Sequence, residues 1–285
     1  RRLVSLDCHA VIRLSFLTVL TLLAFAGNSL LNRMTLADAL ISAEAYAAIR
    51  LGGGALALSL MVSLSRQSFD WLAKGSVVGA VSLAVYAIGF SYGYLWIEAG
   101  LGALLLFGVV QVTMFTAALM ARQEAISVSR WIGTGIALTG LALLLLPGSV
   151  APSPLFAAMM VASAIAWGFY TLAGKNATSP LASTAANFVF AAIVSLVAWL
   201  IVALLPAAGS APTPMTAKGI ALALTSGIVT SAMGYALWYL ILPQLRTTTA
   251  ALAQVTVPVI TAVGGMILLG EALTLNFVIA AALVL

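Results

Sequence analysis

The sequence has 285 residues, of which 63% are hydrophobic and 7% are charged, with a formal net charge of +5. A soluble domain usually carries about a quarter charged residues, so this composition excludes water as the main solvent and indicates an integral membrane protein. The basic residues are scattered singly among apolar runs, which argues against nucleic acid as a partner. With Cys8 and His9 as the only residues of their kinds, the sequence predicts no disulfide, no Cys/His metal site, no cofactor and no enzymatic activity.

Apolar runs separated by short polar or proline-containing segments predict an all-α protein of about ten transmembrane helices. A span needs about 20 apolar residues, so the chain has room for these helices and little else. The first run could be a secretory signal peptide, but the apolar runs that follow favour a first span. The last run is too short to cross a bilayer, so we expect native residues beyond Leu285. The predicted spans are 14–31, 44–64, 75–96, 100–121, 130–147, 155–174, 181–205, 218–242, 248–269 and 272–285.

The distribution of Lys and Arg predicts the orientation, because these residues stay on the cytoplasmic side of short loops. If the N-terminus is cytoplasmic, nine basic residues fall on that side. Arg33 and Lys218 then fall on the other side, together with the segment 206–214, and Arg50 lies inside the second span. These features predict a multi-pass protein of a bacterial inner membrane with a cytoplasmic N-terminus.

A weak internal repeat relates the two halves of the chain. A shift of 147 residues aligns Glu124-Ala125 with Glu271-Ala272 at the ends of long apolar runs, and Tyr92 with Tyr239. A unit with an odd number of helices reverses its orientation when it is duplicated. We therefore expect two inverted five-helix repeats, 1–147 and 148–285, around a central cavity.

Several short motifs resemble those of the drug/metabolite transporter superfamily, EamA type. In the second half, Pro258-Val259-Ile260 followed by Leu268-Leu269-Gly270-Glu271 is similar to the family's proline helix and Leu-Gly-Glu turn. In the first half, Ile49-Arg50 resembles the family's helix-two arginine and Ala26-Gly27-Asn28 its Trp-Gly-Ser/Asn motif, with Ala26 in place of Trp. The resemblance implies an exporter of small metabolites with a cavity lined by both repeats. One branch of the family exports aromatic amino acids.

Side chains that could line such a cavity form two sets. Aromatic residues at helical spacing are the first: Tyr86 in the third span, Trp167 and Tyr170 in the sixth, and Tyr235, Trp238 and Tyr239 in the eighth. The alternatives are packing against other helices and a belt of aromatic residues at the membrane interface. We favour the interfacial belt for Tyr94, Trp238 and Tyr239, which lie near predicted helix ends. The amides of Asn28, Gln111 and Gln254 are the second set, with interhelical hydrogen bonding as the alternative. Pro258 is a candidate hinge, because it removes a backbone donor within its helix.

The charged residues set the function hypothesis. All acidic residues lie near predicted helix ends or in loops, which indicates no buried carboxylate that carries protons or sodium. Arg50 could bind a substrate carboxylate or pair with Glu44, and we favour the pair. The hypothesis is a secondary transporter that exports amino acids, aromatic or hydrophobic ones included, by alternating access. The alternatives are a facilitator of drug-like or nucleotide-sugar-type solutes and a non-transporting membrane protein. The expected partners are a small-molecule substrate and the lipid bilayer; the residues carry no signal for an oligomeric state.

Overall fold

The computed structural model describes residues 8–65, 69–120, 128–145, 153–205 and 214–284, which form ten helices with short connections. Lipid offers backbone groups no hydrogen-bond partners, and a helix satisfies them within one segment. Eight of the helices are long and apolar enough to cross a membrane, so the prediction of an all-α membrane protein is confirmed. The helices are α1 (Cys8–Ala37), α2 (Ala43–Leu64), α3 (Val77–Tyr94), α4 (Ala99–Met120), α5 (Val128–Leu145), α6 (Pro154–Lys175), α7 (Pro180–Leu204), α8 (Ala217–Gln244), α9 (Thr247–Leu269) and α10 (Leu275–Val284).

The helices follow the predicted spans, and the largest difference lies in α1. Among the described residues this helix already includes Cys8, six residues before the predicted start at residue 14, and no proline or glycine between Cys8 and that start interrupts it. A short 3-10 helix, Phe69–Lys74, connects α2 to α3. The described part of α10 is apolar and packs chiefly against α5.

Helices of the first half pack chiefly against helices of the second half. α1 lies against α8, α2 against α7, α3 against α6, α4 against α9 and α5 against α10. Large apolar side chains such as Leu56, Val77 and Leu204 are exposed on the outside of the bundle, where lipid would surround them. The buried core therefore lies between the two halves.

Glycines permit the closest approaches between these helices. A Cβ on Gly89 would lie 2.8 Å from the carbonyl oxygen of Met159, and one on Gly227 would overlap the carbonyl oxygen of Arg50. These contacts are typical of membrane helices, which pack through small residues. Gly52 is different, because a Cβ added there would meet no atom within 4 Å.

Two helices depart from regular α-geometry beside the core. The middle of α8, Ser226–Met233, is a π-helix, whose wider turn changes the direction in which the following side chains point. Helix α9 is interrupted after Gln254 and resumes at Val257. Pro258 is the second residue of the second segment of α9, where it has no backbone N–H to donate to the preceding turn.

Candidate functional site

An arginine, three aromatic residues and a serine from both halves meet inside the bundle. Each of their side chains is at most 3% exposed, and they come from α2, α3, α6 and α8. A buried set with this composition combines one permanent positive charge with ring faces and hydroxyl groups. We call these five residues the Arg50 cluster: Arg50, Tyr86, Trp167, Ser231 and Tyr235.

The guanidinium of Arg50 bonds to hydroxyl groups of the cluster. Its Nε donates to Ser231 Oγ at 2.8 Å, and its Nη2 donates to the hydroxyl oxygens of Tyr235 at 2.5 Å and Tyr86 at 3.3 Å. Its Cζ also lies 5.3 Å from the ring centre of Tyr86 and 5.2 Å from that of Phe90, within cation–π range. The contacts of this cation within the described residues are therefore all with neutral groups.

The Arg50–Glu44 pair that we favoured from the sequence is wrong. Glu44 instead accepts a hydrogen bond from the hydroxyl of Tyr92. The two residues of α2 are six positions apart, about 9 Å along the axis and on different faces of the helix. Glu44 lies in the first turn of α2, whereas Arg50 points at the π-helical part of α8.

Trp167 is the centre of a chain of aromatic contacts. Its ring lies 4.8 Å from Tyr86, 4.7 Å from Tyr235 and 5.3 Å from Tyr170, measured between ring centroids. The ring centroid of Tyr170 in turn lies 4.8 Å from that of Tyr239, which is the ring farthest from Arg50 along this chain of contacts. These rings form a continuous aromatic path from Tyr239 to Arg50.

The interfacial interpretation of Tyr94, Trp238 and Tyr239 is wrong, because all three are at most 1% exposed. Trp238 donates from Nε1 to Thr171 Oγ1 at 3.4 Å, and the Tyr239 hydroxyl donates to the carbonyl oxygen of Tyr170 at 3.0 Å. Helix α8 faces the core along this stretch, so its aromatic residues point to α6 and not to lipid. Trp96 differs, with 69% exposure beside the α3–α4 connection.

The amides of Asn28 and Gln254 are engaged within the protein. Asn28 Oδ1 accepts from hydroxyl groups of the π-helix, including Ser231 Oγ at 2.9 Å, and its Nδ2 donates to Tyr235 Oη at 3.1 Å. Gln254 Oε1 accepts from Trp167 Nε1 at 2.7 Å. Both amides thus hold cluster residues in place from a second layer.

Gln111 and Pro258 make no hydrogen bond to the cluster in the described part of the chain. Gln111 is half-buried on α4, and its Oε1 has no hydrogen-bond partner among the described residues. Pro258 is buried at the interruption of α9, four residues after the amide that bonds Trp167.

A cavity of about 430 Å³ opens at one end of the bundle, which we call the cavity end. Its lining comes from the start of α3, the end of α6, the start of α7 and the end of α8. Tyr239 lines this cavity and also begins the aromatic path to Arg50. In this conformation the predicted central space is filled by the aromatic side chains, and open volume lies beside them. Polar or basic lining residues include Lys74, Ser76, Asn176, Ser183 and Asn187.

The opposite end, which we call the ion-pair end, is tied together by Glu271. Its two carboxylate oxygens accept from the backbone N–H of Ala99 at 3.0 and 2.9 Å, and Oε1 lies 3.3 Å from Nε of Arg33. Arg33 also donates from Nη1 to the carbonyl oxygens of Tyr94 and Leu95, both at 3.0 Å. These contacts join α1, the α3–α4 connection and the end of α9.

Glu98 lies next to this network. Its partial burial and the neighbouring charge of Glu271 raise the pKa of Glu98, while Arg33 acts in the opposite direction. The carboxyl group of Glu98 is therefore harder to ionise than an ordinary surface glutamate.

Sequence reasoning missed two parts of the site. Phe25 of α1 contacts Trp167 edge-to-face at 5.1 Å, but a phenylalanine among apolar residues gives no signal. The contact between Arg33 and Glu271 joins residues 238 positions apart, and its one clue was that both belonged to the same predicted side of the membrane.

Comparison with known proteins agrees with this architecture. Residues 155–285 match the EamA-like transporter family. The uncharacterized protein PA1977 of Pseudomonas aeruginosa is 45% identical over 261 residues, which cover 92% of this chain and 88% of that protein. The crystal structure of another protein superposes on this chain with a TM-score of 0.61 and 17% sequence identity. The superposition covers 93% of this chain and 94% of the other, so the two proteins share the fold. The chain belongs to the EamA-like transporter family.

Proposed function

We propose that this protein is a secondary transporter that moves amino acids across a bacterial inner membrane by alternating access. Its family consists of membrane transporters, which is consistent with the apolar helices and supports a role in moving small solutes. The substrate class, the membrane and the two inverted repeats, 1–147 and 148–285, are part of the proposal.

One observation carries it. The Arg50 cluster lies between the two halves, a cavity approaches it from one end, and the Glu271 network closes the other end. An alternating-access carrier needs a site between two moving units that is open to one side at a time. The interruption of α9 at Pro258 supplies a candidate hinge for that movement.

The distribution of basic residues supports an inward-facing conformation. Lys74 and Lys175 lie at the cavity end, where Lys74 lines the cavity itself. Lys and Arg favour the cytoplasmic side, which supports a cavity that opens to the cytoplasm, and export is the direction that we include in the proposal. The Glu271 network would then close the outer end.

The chemistry of the aromatic path supports amino acids as solutes. The rings of Trp167, Tyr170 and Tyr239 offer apolar faces for a side chain, and an amine can rest over such a face. Acidic residues of the described chain, such as Glu44, Glu98 and Glu271, lie at helix ends or connections. This placement favours a mechanism in which no buried carboxylate in mid-membrane carries the coupling ion.

Transport in proteoliposomes tests the proposal. Purified protein should move labelled amino acids, screened with and without a pH gradient, faster than protein-free vesicles. Trp167→Ala and Tyr86→Ala should change the rate or the solute selectivity, whereas Trp96→Ala, an aromatic control on the exposed surface, should change neither. Unaltered transport in the first two variants would show that the cluster is not the substrate site. Failure of the wild type to move any amino acid would refute the amino acid assignment.

Topology mapping tests the inverted repeats separately. A cysteine in the segment 206–214 should react with an impermeant maleimide from outside intact cells, while a tag at the N-terminus should be reached only after the membrane is opened. If both sites lie on the same side, the two halves do not run in opposite senses.

A further inference from the structure

The positive charge of Arg50 is buried with a free hydrogen-bond donor. Its side chain is fully buried, and Nη1 has no hydrogen-bond partner among the described residues, although Nε and Nη2 are both bonded. Buried polar groups in proteins are nearly always bonded, so an unpaired guanidinium nitrogen needs an explanation. A ligand atom that completes its hydrogen bonds is the explanation that fits a transporter.

The charge of Arg50 is also uncompensated. The ion pairs that we find in the described chain join Arg33 to Glu271, Lys74 to Asp70 and Lys218 to Asp38, all at helix ends or connections. Every group bonded to Arg50 is a neutral hydroxyl. Moving an uncompensated cation out of water is costly, and ring faces repay only part of that cost. An anion that binds here would remove the penalty.

The geometry points to a single carboxylate as this anion: we propose that Arg50 binds the carboxylate group of the transported solute. This inference rests on the proposed transport function. The planar guanidinium matches the geometry of a carboxylate. Arg50 is the one cation of the Arg50 cluster, so a singly charged anion balances its charge, whereas a doubly charged phosphate would leave an excess negative charge. Tyr46, one turn before Arg50 on the same helix face, places a buried hydroxyl on the same side of α2.

Two features of the fold orient Arg50 and place it at the end of the aromatic path. The π-helix Ser226–Met233 supplies Ser231, and Tyr235 follows it one turn later, so an irregular helix sets two of the three hydroxyl contacts. The aromatic path from the cavity ends at Tyr235 and Tyr86, which both bond Arg50. A solute that enters from the cavity end would therefore lead with its carboxylate and leave its side chain among the rings.

Matched solutes in proteoliposomes test the inference. The probes are phenylalanine and leucine, each compared with its amide, which keeps the amine and side chain but lacks the carboxylate. The wild type should prefer each acid over its amide by about 100-fold or more, since a site built around a buried donor rejects an analogue that cannot pair with it. Arg50→Gln should abolish this preference, and Arg50→Lys should keep part of it. Lys218→Gln, which removes an exposed charge, should behave as the wild type.

The outcomes separate this inference from the proposed function. Equal transport of acid and amide by the wild type would overturn the role of Arg50 while leaving amino acid transport in place, and this comparison needs no variant. A preference that survives in Arg50→Gln would overturn it as well. If the wild type moves none of the acids, the proposed function fails and the inference fails with it.

Discussion

Glu271→Gln should open the ion-pair end. The carboxylate accepts the Ala99 N–H with both oxygens at the beginning of α4, and it pairs with Arg33. A hydrogen bond to a charged group contributes about 1.5–3 kcal/mol, and a negative charge at a helix N-terminus adds about 0.3–1 kcal/mol. The amide keeps one acceptor but loses the charge. We expect a loss of about 2–3 kcal/mol, or about 30–150-fold in the equilibrium between the closed and open forms of this end, at tenfold for each 1.4 kcal/mol.

Cysteine labelling measures this equilibrium. Ile97 lies in the α3–α4 connection and is 1% exposed, so a cysteine there should react slowly with an impermeant maleimide while the end is closed. In an Ile97→Cys, Cys8→Ser background, Glu271→Gln should raise the labelling rate, toward the limit of about 30–150-fold where opening controls it. Glu98→Gln is the control: it also removes one negative charge, from the neighbouring glutamate, and should not raise the labelling rate. Labelling that stays unchanged in Glu271→Gln, or that rises equally in Glu98→Gln, would refute this reasoning.

Three further predictions concern thermal stability, measured on purified protein by the unfolding midpoint. Trp167→Phe should destabilise by about 1–3 kcal/mol, because it leaves the buried Gln254 Oε1 without its donor; an unchanged midpoint would contradict this. Gly227→Ala should cost about 2 kcal/mol or more, because its Cβ would overlap a carbonyl oxygen of α2, whereas Gly52→Ala, with open space, should be neutral or gain up to about 1 kcal/mol. The reverse order would show that these helices separate easily. Since the folded pKa of Glu98 is raised, stability should be highest below its unfolded pKa and should fall as the pH rises through the folded pKa. Glu98→Gln should remove that fall, and a midpoint profile identical to the wild type would refute the assignment.

The helical architecture could be predicted from the sequence because hydrocarbon imposes a strong rule on each span. Long apolar runs predicted the helices without knowledge of tertiary contacts, since each span satisfies its own backbone. The helical residues of α1 before residue 14 were missed because helix formation does not stop where the apolar run does. The π-helix in α8 carries no comparable pattern in its own residues.

The site was predicted less completely, for physical reasons. Helical spacing identified Tyr86, Trp167 and Tyr235 as members of aromatic stripes, each on one face of its helix. The structure brings the three residues together around Arg50. The same spacing could not tell whether Arg50 would turn toward Glu44 or away from it, because local distance along a helix does not fix a partner on another helix. Position near a predicted helix end was also a poor guide for Tyr239, since α8 stays buried along this face.

The π-helical part of α8 couples the Arg50 cluster to the contact between the two halves. Gly227 lies against the backbone of α2 at Arg50, and Ser231, four residues later, accepts from the side chain of the same arginine. Asn28 of α1 accepts hydrogen bonds from the hydroxyl groups of Ser226 and Ser231, so a second helix of the first half is bonded to the same segment. A rocking of the halves that displaces α8 from α1 and α2 must therefore break hydrogen bonds to Arg50 itself. An anion bound at Arg50 would replace what those bonds supply, which gives the ligand a way to favour the moved conformation over the one described here.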